Sequence, residues 1–158
     1  MMSKPFRIMF VCHGNICRSP MAEFVMKDLA RKQGMEQALL VASAATHDDE
    51  IGSPVHPETQ RMLASAGISC DGKRARRLSR ADAEKWDLFV VMDEANLRDT
   101  RRQLGRKVEG RCAKLLEFAG SERDVADPWY TGDFETTYDD VVAGCTGLLS
   151  WIRAGTRC

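Results

Sequence analysis

The sequence predicts a single α/β domain spanning residues 1–158, built on a four-stranded parallel sheet with helices on both faces. Three observations carry this. An apolar run near the N-terminus leads through a glycine-bearing loop into a helical pattern and then a second apolar run, a right-handed strand–helix–strand crossover. Two more apolar runs follow at strand length. The chain closes on an amphipathic helix with Val141, Val142, Cys145, Leu148, Leu149 and Ile152 on one face.

Taken in order, Phe6–Val11 reads as a buried parallel strand. Ser19 is a suitable N-cap and Pro20 suits a first helical turn, so a helix is expected from about Pro20 to Lys32, stopped by Gly34. Ala38–Ala42 is the second strand, and Pro57–Ala66 a short helix ended by Gly67. Residues 67–74 (GISCDGKR) approach a nucleotide-binding loop but fail it: Arg74 stands where Ser or Thr should be, and a helix precedes them. Ser79-Arg80-Ala81-Asp82 is a capping pattern. Trp86–Met92 is the third strand, a basic helix with Arg98, Arg101 and Arg102 follows, and Cys112–Phe118 is the fourth strand. No repeat, low-complexity tract or linker marks a boundary.

The totals exclude several classes. With 158 residues, 44% apolar and 29% charged, the chain can bury a core without staples. Lys plus Arg (23) equals Asp plus Glu (23), so bulk charge points to neither nucleic acid nor membrane as a partner. No run approaches a membrane span, and Met1–Pro5 lacks the apolar core of a signal peptide. Six irregularly spaced cysteines then predict reduced thiols in a cytoplasmic protein. His13, His47 and His56 form no ligand cluster with them, so neither a metal nor a cofactor is expected.

The chemistry concentrates in Cys12-His13-Gly14-Asn15-Ile16-Cys17-Arg18-Ser19-Pro20. Between a strand and a helix start, backbone N–H groups of residues 13–19 converge with the positive end of a helix dipole on one anion site. Cys12 sits at its centre, where that field favours the thiolate. Arg18 can curl back and offer two N–H donors to phosphate oxygens. Gly14 is expected to supply close approach and positive φ. A thiolate beneath a bound phosphate makes a phosphocysteine the natural intermediate. Amides and Arg18 then neutralise the developing charge without a metal.

A proton must also reach the leaving oxygen. Only eleven residues precede Cys12, so the acid lies downstream. Asp127-Pro128-Trp129-Tyr130 is the best candidate: Pro128 holds Asp127 extended in a loop, and the two aromatics can desolvate a carboxyl and flank a phenol ring. Asp124 and Asp133 are fallbacks.

This constellation resembles the low-molecular-weight protein tyrosine phosphatases over almost the whole chain. The resemblance implies their flavodoxin-like fold and hydrolysis of phosphotyrosine in proteins and peptides, with small aryl phosphates and inorganic phosphate as further ligands. It implies Asp127 as general acid, then base, with Trp129 and Tyr130 as the aromatic wall. Ser19 would bond the Cys12 sulfur, Ser43 would bond Asn15, and Cys17 would trap an oxidised Cys12 as a disulfide. A serine merely leaving a strand and a small buried cysteine are the alternatives for Ser43 and Cys17. The family often has His where Lys73 stands. Asp49 falls in the substrate wall, and Asp48-Asp49-Glu50 predicts a preference for basic residues beside the phosphotyrosine. A monomer is expected. The rival functions are an arsenate reductase on the same fold and a phosphate-binding module without turnover.

Overall fold

The computed structural model describes residues 4–155; Cys158 and the residues before Lys4 lie outside them. Four parallel strands form one sheet in the order β2-β1-β3-β4: β1 Phe6–Cys12, β2 Leu39–Ala45, β3 Leu88–Val91 and β4 Cys112–Lys114. The helices are α1 Arg18–Lys32, α2 Pro57–Ser65, α3 Asp82–Lys85, α4 Glu94–Leu104, α5 Pro128–Thr131 and α6 Phe134–Gly155. β1 is central, and its alternation builds both layers. Ile8 and Phe10 pack with Met21, Met26, Leu148 and Leu149 of α1 and α6. Met9 and Val11 pack with Leu97 and Leu104 of α4 on the other face. The predicted fold class is the observed one.

Three local expectations are corrected. Helix α1 begins at Arg18, with Cys17 in the capping position and no side-chain cap. Ser19 is therefore no N-cap, and its hydroxyl turns to Cys12 instead. The fourth strand stops at Lys114, and Leu115–Ala119 winds into a 3-10 turn. Glu117 accepts from the Lys114 N–H at 2.7 Å, closing that turn. The turn sits directly on α6, where a Cβ on Gly147 would lie 1.9 Å from the Phe118 carbonyl oxygen and one on Gly144 2.4 Å from Leu115 Cγ. Finally, the segment after Asp127 is a one-turn helix rather than a loop, because Asp127 accepts from the Trp129 N–H at 3.0 Å and Pro128 fits the first helical position.

Candidate active site

The loop after β1 carries Cys12 to the carboxyl edge of the sheet, where open α/β sheets bind ligands. The Cys12 sulfur is buried among donors: Ser19 Oγ lies 3.0 Å away, and the N–H groups of Asn15 and Ser19 donate to it at 3.3 and 3.4 Å. The residue with positive φ is Asn15 (φ 59°); Gly14 is not in that region, contrary to expectation. Asparagine tolerates the left-handed conformation because its amide finds local partners. Here Nδ2 donates to Ser19 Oγ (2.8 Å) and Ser43 Oγ (2.9 Å), while Oδ1 accepts from the Arg76 N–H (3.1 Å). A Cβ at Gly14 would make only ordinary contacts with Glu50 and Ile16, so packing within the protein does not demand a glycine there.

These bonds orient one another. Ser19 Oγ accepts from Asn15, which frees its own hydrogen for the Cys12 sulfur. Ser43 likewise accepts from Asn15 and donates to Glu23 Oε1 at 2.6 Å. Glu23 is buried on α1 and is balanced by Lys27 at 2.6 Å and Lys73 at 3.5 Å. Lys73 also donates to the Ser43 carbonyl at 3.0 Å. Burial pulls the Lys73 ammonium below its usual range, against the pull of Glu23. Lys73 thus reaches the loop through Ser43 and Glu23.

Arg18 is only 2% exposed. Its Nη1 donates to Asp93 Oδ2 (2.7 Å) and the Val125 carbonyl (2.9 Å), and Nη2 reaches Asp127 Oδ2 at 3.4 Å. Burial alone would lower its pKa, but the charges of Cys12, Asp93 and Asp127 raise it above the ordinary arginine value. Asp127 faces the same cleft as Cys12, as do Trp129 (58% exposed) and Tyr130 (83% exposed). His56 braces this wall: its ring stands edge-on to Trp129 and stacks on Phe134, and its backbone N–H donates to the Ile16 carbonyl at 2.9 Å.

On the opposite wall, Asp49 and Glu50 line the cleft, but the acidic triplet is largely committed. Asp49 bonds His13 Nε2 at 2.7 Å, and the His13 ring stacks on His47 at 3.9 Å. Asp48 pairs with Arg77 at 2.6 Å, and Ser53 donates to Glu50 at 3.2 Å. The fallback acids lie elsewhere: Asp124 is held by Lys114 at 2.9 Å, and Asp133 caps the start of α6 through Thr136. Cys17 is buried, and burial together with Cys12 and Asp127 pushes its thiol up to about 12. Among the remaining described cysteines, Cys112 donates to the Val108 carbonyl and Cys145 to Ala22 within the core, where burial pushes its thiol upward.

Glu23, Asp93, the Val125 carbonyl and the Arg76 N–H were not foreseen. Glu23 had a signal, a carboxylate on the apolar face of a helix one turn after Ser19. Asp93 had another, an acid at the carboxyl end of a strand with Asn96 completing a capping box. Backbone partners have no residue-type signal. Among the described residues no three His, Cys, Asp or Glu converge to hold a metal ion, and no helix is long and apolar enough to cross a membrane.

Known proteins share this architecture. The family model described as low molecular weight phosphotyrosine protein phosphatase matches residues 7–157. The chain is 40% identical over 148 residues to the low molecular weight protein-tyrosine-phosphatase YfkJ of Bacillus subtilis, covering 92% of this chain and 95% of that protein. It is 38% identical to PtpA of Staphylococcus aureus, covering 92% of each. The crystal structure of YfkJ superposes with a TM-score of 0.95 at 39% identity, covering 99% of both chains. The low molecular weight protein tyrosine phosphatase from Streptococcus pyogenes follows at 0.85 and 35%, covering 96% of both. With the fold, the sulfur at the sheet edge and these relatives in agreement, the chain belongs to the low molecular weight phosphotyrosine protein phosphatases.

Proposed function

We propose that this protein hydrolyses phosphotyrosine through Cys12, Arg18 and Asp127. The supporting observation is the convergence of three donors on the Cys12 sulfur, with Arg18 reaching Asp127 across the same cleft. The N–H groups of the loop and the Arg18 guanidinium hold the three terminal oxygens of the phosphoryl group. Sγ of Cys12 attacks phosphorus as the bond to the phenolic oxygen breaks, and Asp127 gives its proton to that oxygen. Asp127, now a carboxylate, takes a proton from water, which attacks phosphorus. The S–P bond breaks, inorganic phosphate is released, and the Ser19 hydroxyl stabilises the departing thiolate. Trp129 and Tyr130 flank the phenol ring. Cys17 is the partner for a reversible disulfide when Cys12 is oxidised.

The test is turnover of p-nitrophenyl phosphate in EDTA by wild type, Cys12→Ser and Asp127→Ala across pH. Expected are EDTA-resistant turnover, none in Cys12→Ser, and a loss of about 10²–10⁴-fold in Asp127→Ala with the basic limb of the pH profile altered. A folded wild type without turnover rejects the proposal.

A further inference from the structure

The chain is neutral, but its charges are unevenly placed. Residues 73–111 hold twelve Lys and Arg against seven Asp and Glu, five charges positive, while the rest of the chain holds eleven against sixteen. This excess surfaces in a groove lined by Arg77, Ser79, Arg80, Arg102 and Gln103. Arg98, one turn before Arg102 on α4, extends the same row. Arg77 is tied to Asp48 and Arg102 to Asp99. Arg80 is exposed and has no carboxylate partner among the described residues.

The groove adjoins the phosphate cleft, separated from it by the loop after β2. Gln103 Nε2 donates to the Thr46 carbonyl at 2.9 Å, and the Thr46 N–H donates to the Cys12 carbonyl at 3.0 Å. Asp48 faces the groove through Arg77, while its neighbour Asp49 faces the cleft through His13. Two consecutive residues therefore bridge the two sites. A peptide laid across them at about 3.3 Å per residue passes from one to the other within a few residues. On this path Asp48 is offset by Arg77 and Asp49 is hydrogen-bonded to His13, so these two repel an acidic peptide less than bare carboxylates would.

We propose that the groove is a second subsite for the phosphoprotein: it takes Asp or Glu side chains lying a few residues from the phosphotyrosine. This rests on the function proposed above and names its substrate class. Guanidinium groups bind carboxylates through paired N–H donors, and several aligned on one surface also raise the encounter rate. The basic-residue preference expected from Asp48-Asp49-Glu50 is thereby replaced by an acidic one.

The experiment compares kcat/KM for phosphotyrosine peptides with neutral, acidic or lysine-rich segments on either side. Wild type and the double variant Arg80→Glu/Arg102→Glu are assayed at low and high salt. p-Nitrophenyl phosphate, too short to reach the groove, is the reference. In wild type an acidic segment on one side should raise kcat/KM about 5- to 10-fold over neutral, a gain that fades with salt. The charge reversal should abolish or invert the ratio. Equal wild-type rates on acidic and neutral peptides, or a preference that survives the reversal, overturn the proposal. So does the result that the reversal abolishes binding of duplex DNA or anionic vesicles while peptide flanks leave the rate unchanged. Absent p-nitrophenyl phosphate turnover in wild type rejects the catalytic reading instead, and fluorescence anisotropy of the same peptides then decides the groove by affinity.

Discussion

Arg18 and Asp93 stand 75 residues apart in sequence and are joined at 2.7 Å, Nη1 donating to Oδ2. Asp93 is itself fixed, because its other carboxylate oxygen accepts from the Asn96 N–H at 2.7 Å. The guanidinium is thus registered to the end of β3 before any ligand meets it. Replacing Asp93 with Asn keeps the shape and removes the charge. A lost charge-assisted bond is worth about 1.5–3 kcal/mol, so kcat/KM for p-nitrophenyl phosphate should fall about 10- to 100-fold and affinity for inorganic phosphate should weaken. Unchanged kinetics would show that the Val125 carbonyl and Asp127 suffice to orient Arg18.

Asn15 serves the loop twice, by its backbone at φ 59° and by its amide. Asn15→Gly keeps the conformation and loses the bonds; Asn15→Ala loses both. The two variants should lose activity alike, while Ala costs about 1 kcal/mol more in stability than Gly. Denaturant unfolding of the pair separates the roles, and equal stabilities would mean that the backbone conformation carries no strain.

The Cys17 thiol, pushed up to about 12, is almost wholly protonated at neutral pH. Only thiolate attacks oxidised sulfur, so each added pH unit raises the reactive fraction about tenfold. Peroxide-treated enzyme should form a dithiothreitol-reversible disulfide faster at pH 9 than at pH 7, and Cys17→Ser should form none. A disulfide whose formation rate is flat across that range would assign the trapping to another thiol.

Burial works against the Asp82 carboxylate, yet Arg76, the Ser79 N–H and Trp86 together hold it below the usual aspartate range. A depressed folded-state pKa stabilises the protein above the unfolded value near 4, and that contribution is lost as pH falls through the folded value. Asp82→Asn should therefore be less stable at pH 7 and show a flatter stability curve below about pH 4. Parallel curves for mutant and wild type would contradict the assignment.

Gly147 faces the Phe118 carbonyl oxygen so closely that a Cβ would stand 1.9 Å away, against backbone that cannot rotate aside. Gly147→Ala should cost several kcal/mol, read as a falling thermal midpoint, although alanine is the better helix former. A midpoint at or above wild type would mean that the 3-10 turn lifts off freely.

How far the sequence could be read depended on whether a feature was local. Cys12, Arg18 and the strand–loop–helix geometry lie within a few residues of one another, and their order already implies the anion site. The long apolar face of α6 was equally plain. The end of β4 was not, because Leu115, Leu116 and Phe118 are as apolar as a strand requires. Glu117 closes the turn locally, but the room for it against α6 comes from Gly144 and Gly147, far downstream. The partners of the acidic triplet were hidden for the same reason, since Arg77 and His13 come from other segments. Asn15 took the conformation assigned to Gly14 because the deciding bonds reach Ser43 and Arg76.

That spread has a consequence for biogenesis. The anchors of Arg18 lie 75, 107 and 109 residues downstream, at Asp93, Val125 and Asp127. Synthesis runs at about 5–20 residues per second, so the Cys12 loop leaves the ribosome seconds before the groups that aim its arginine. A nascent chain can expose this cysteine early but gains all the groups that position its arginine only once Asp93, Val125 and Asp127 have emerged. The aim of Arg18 is thus a property of the assembled fold and not of the loop that carries it.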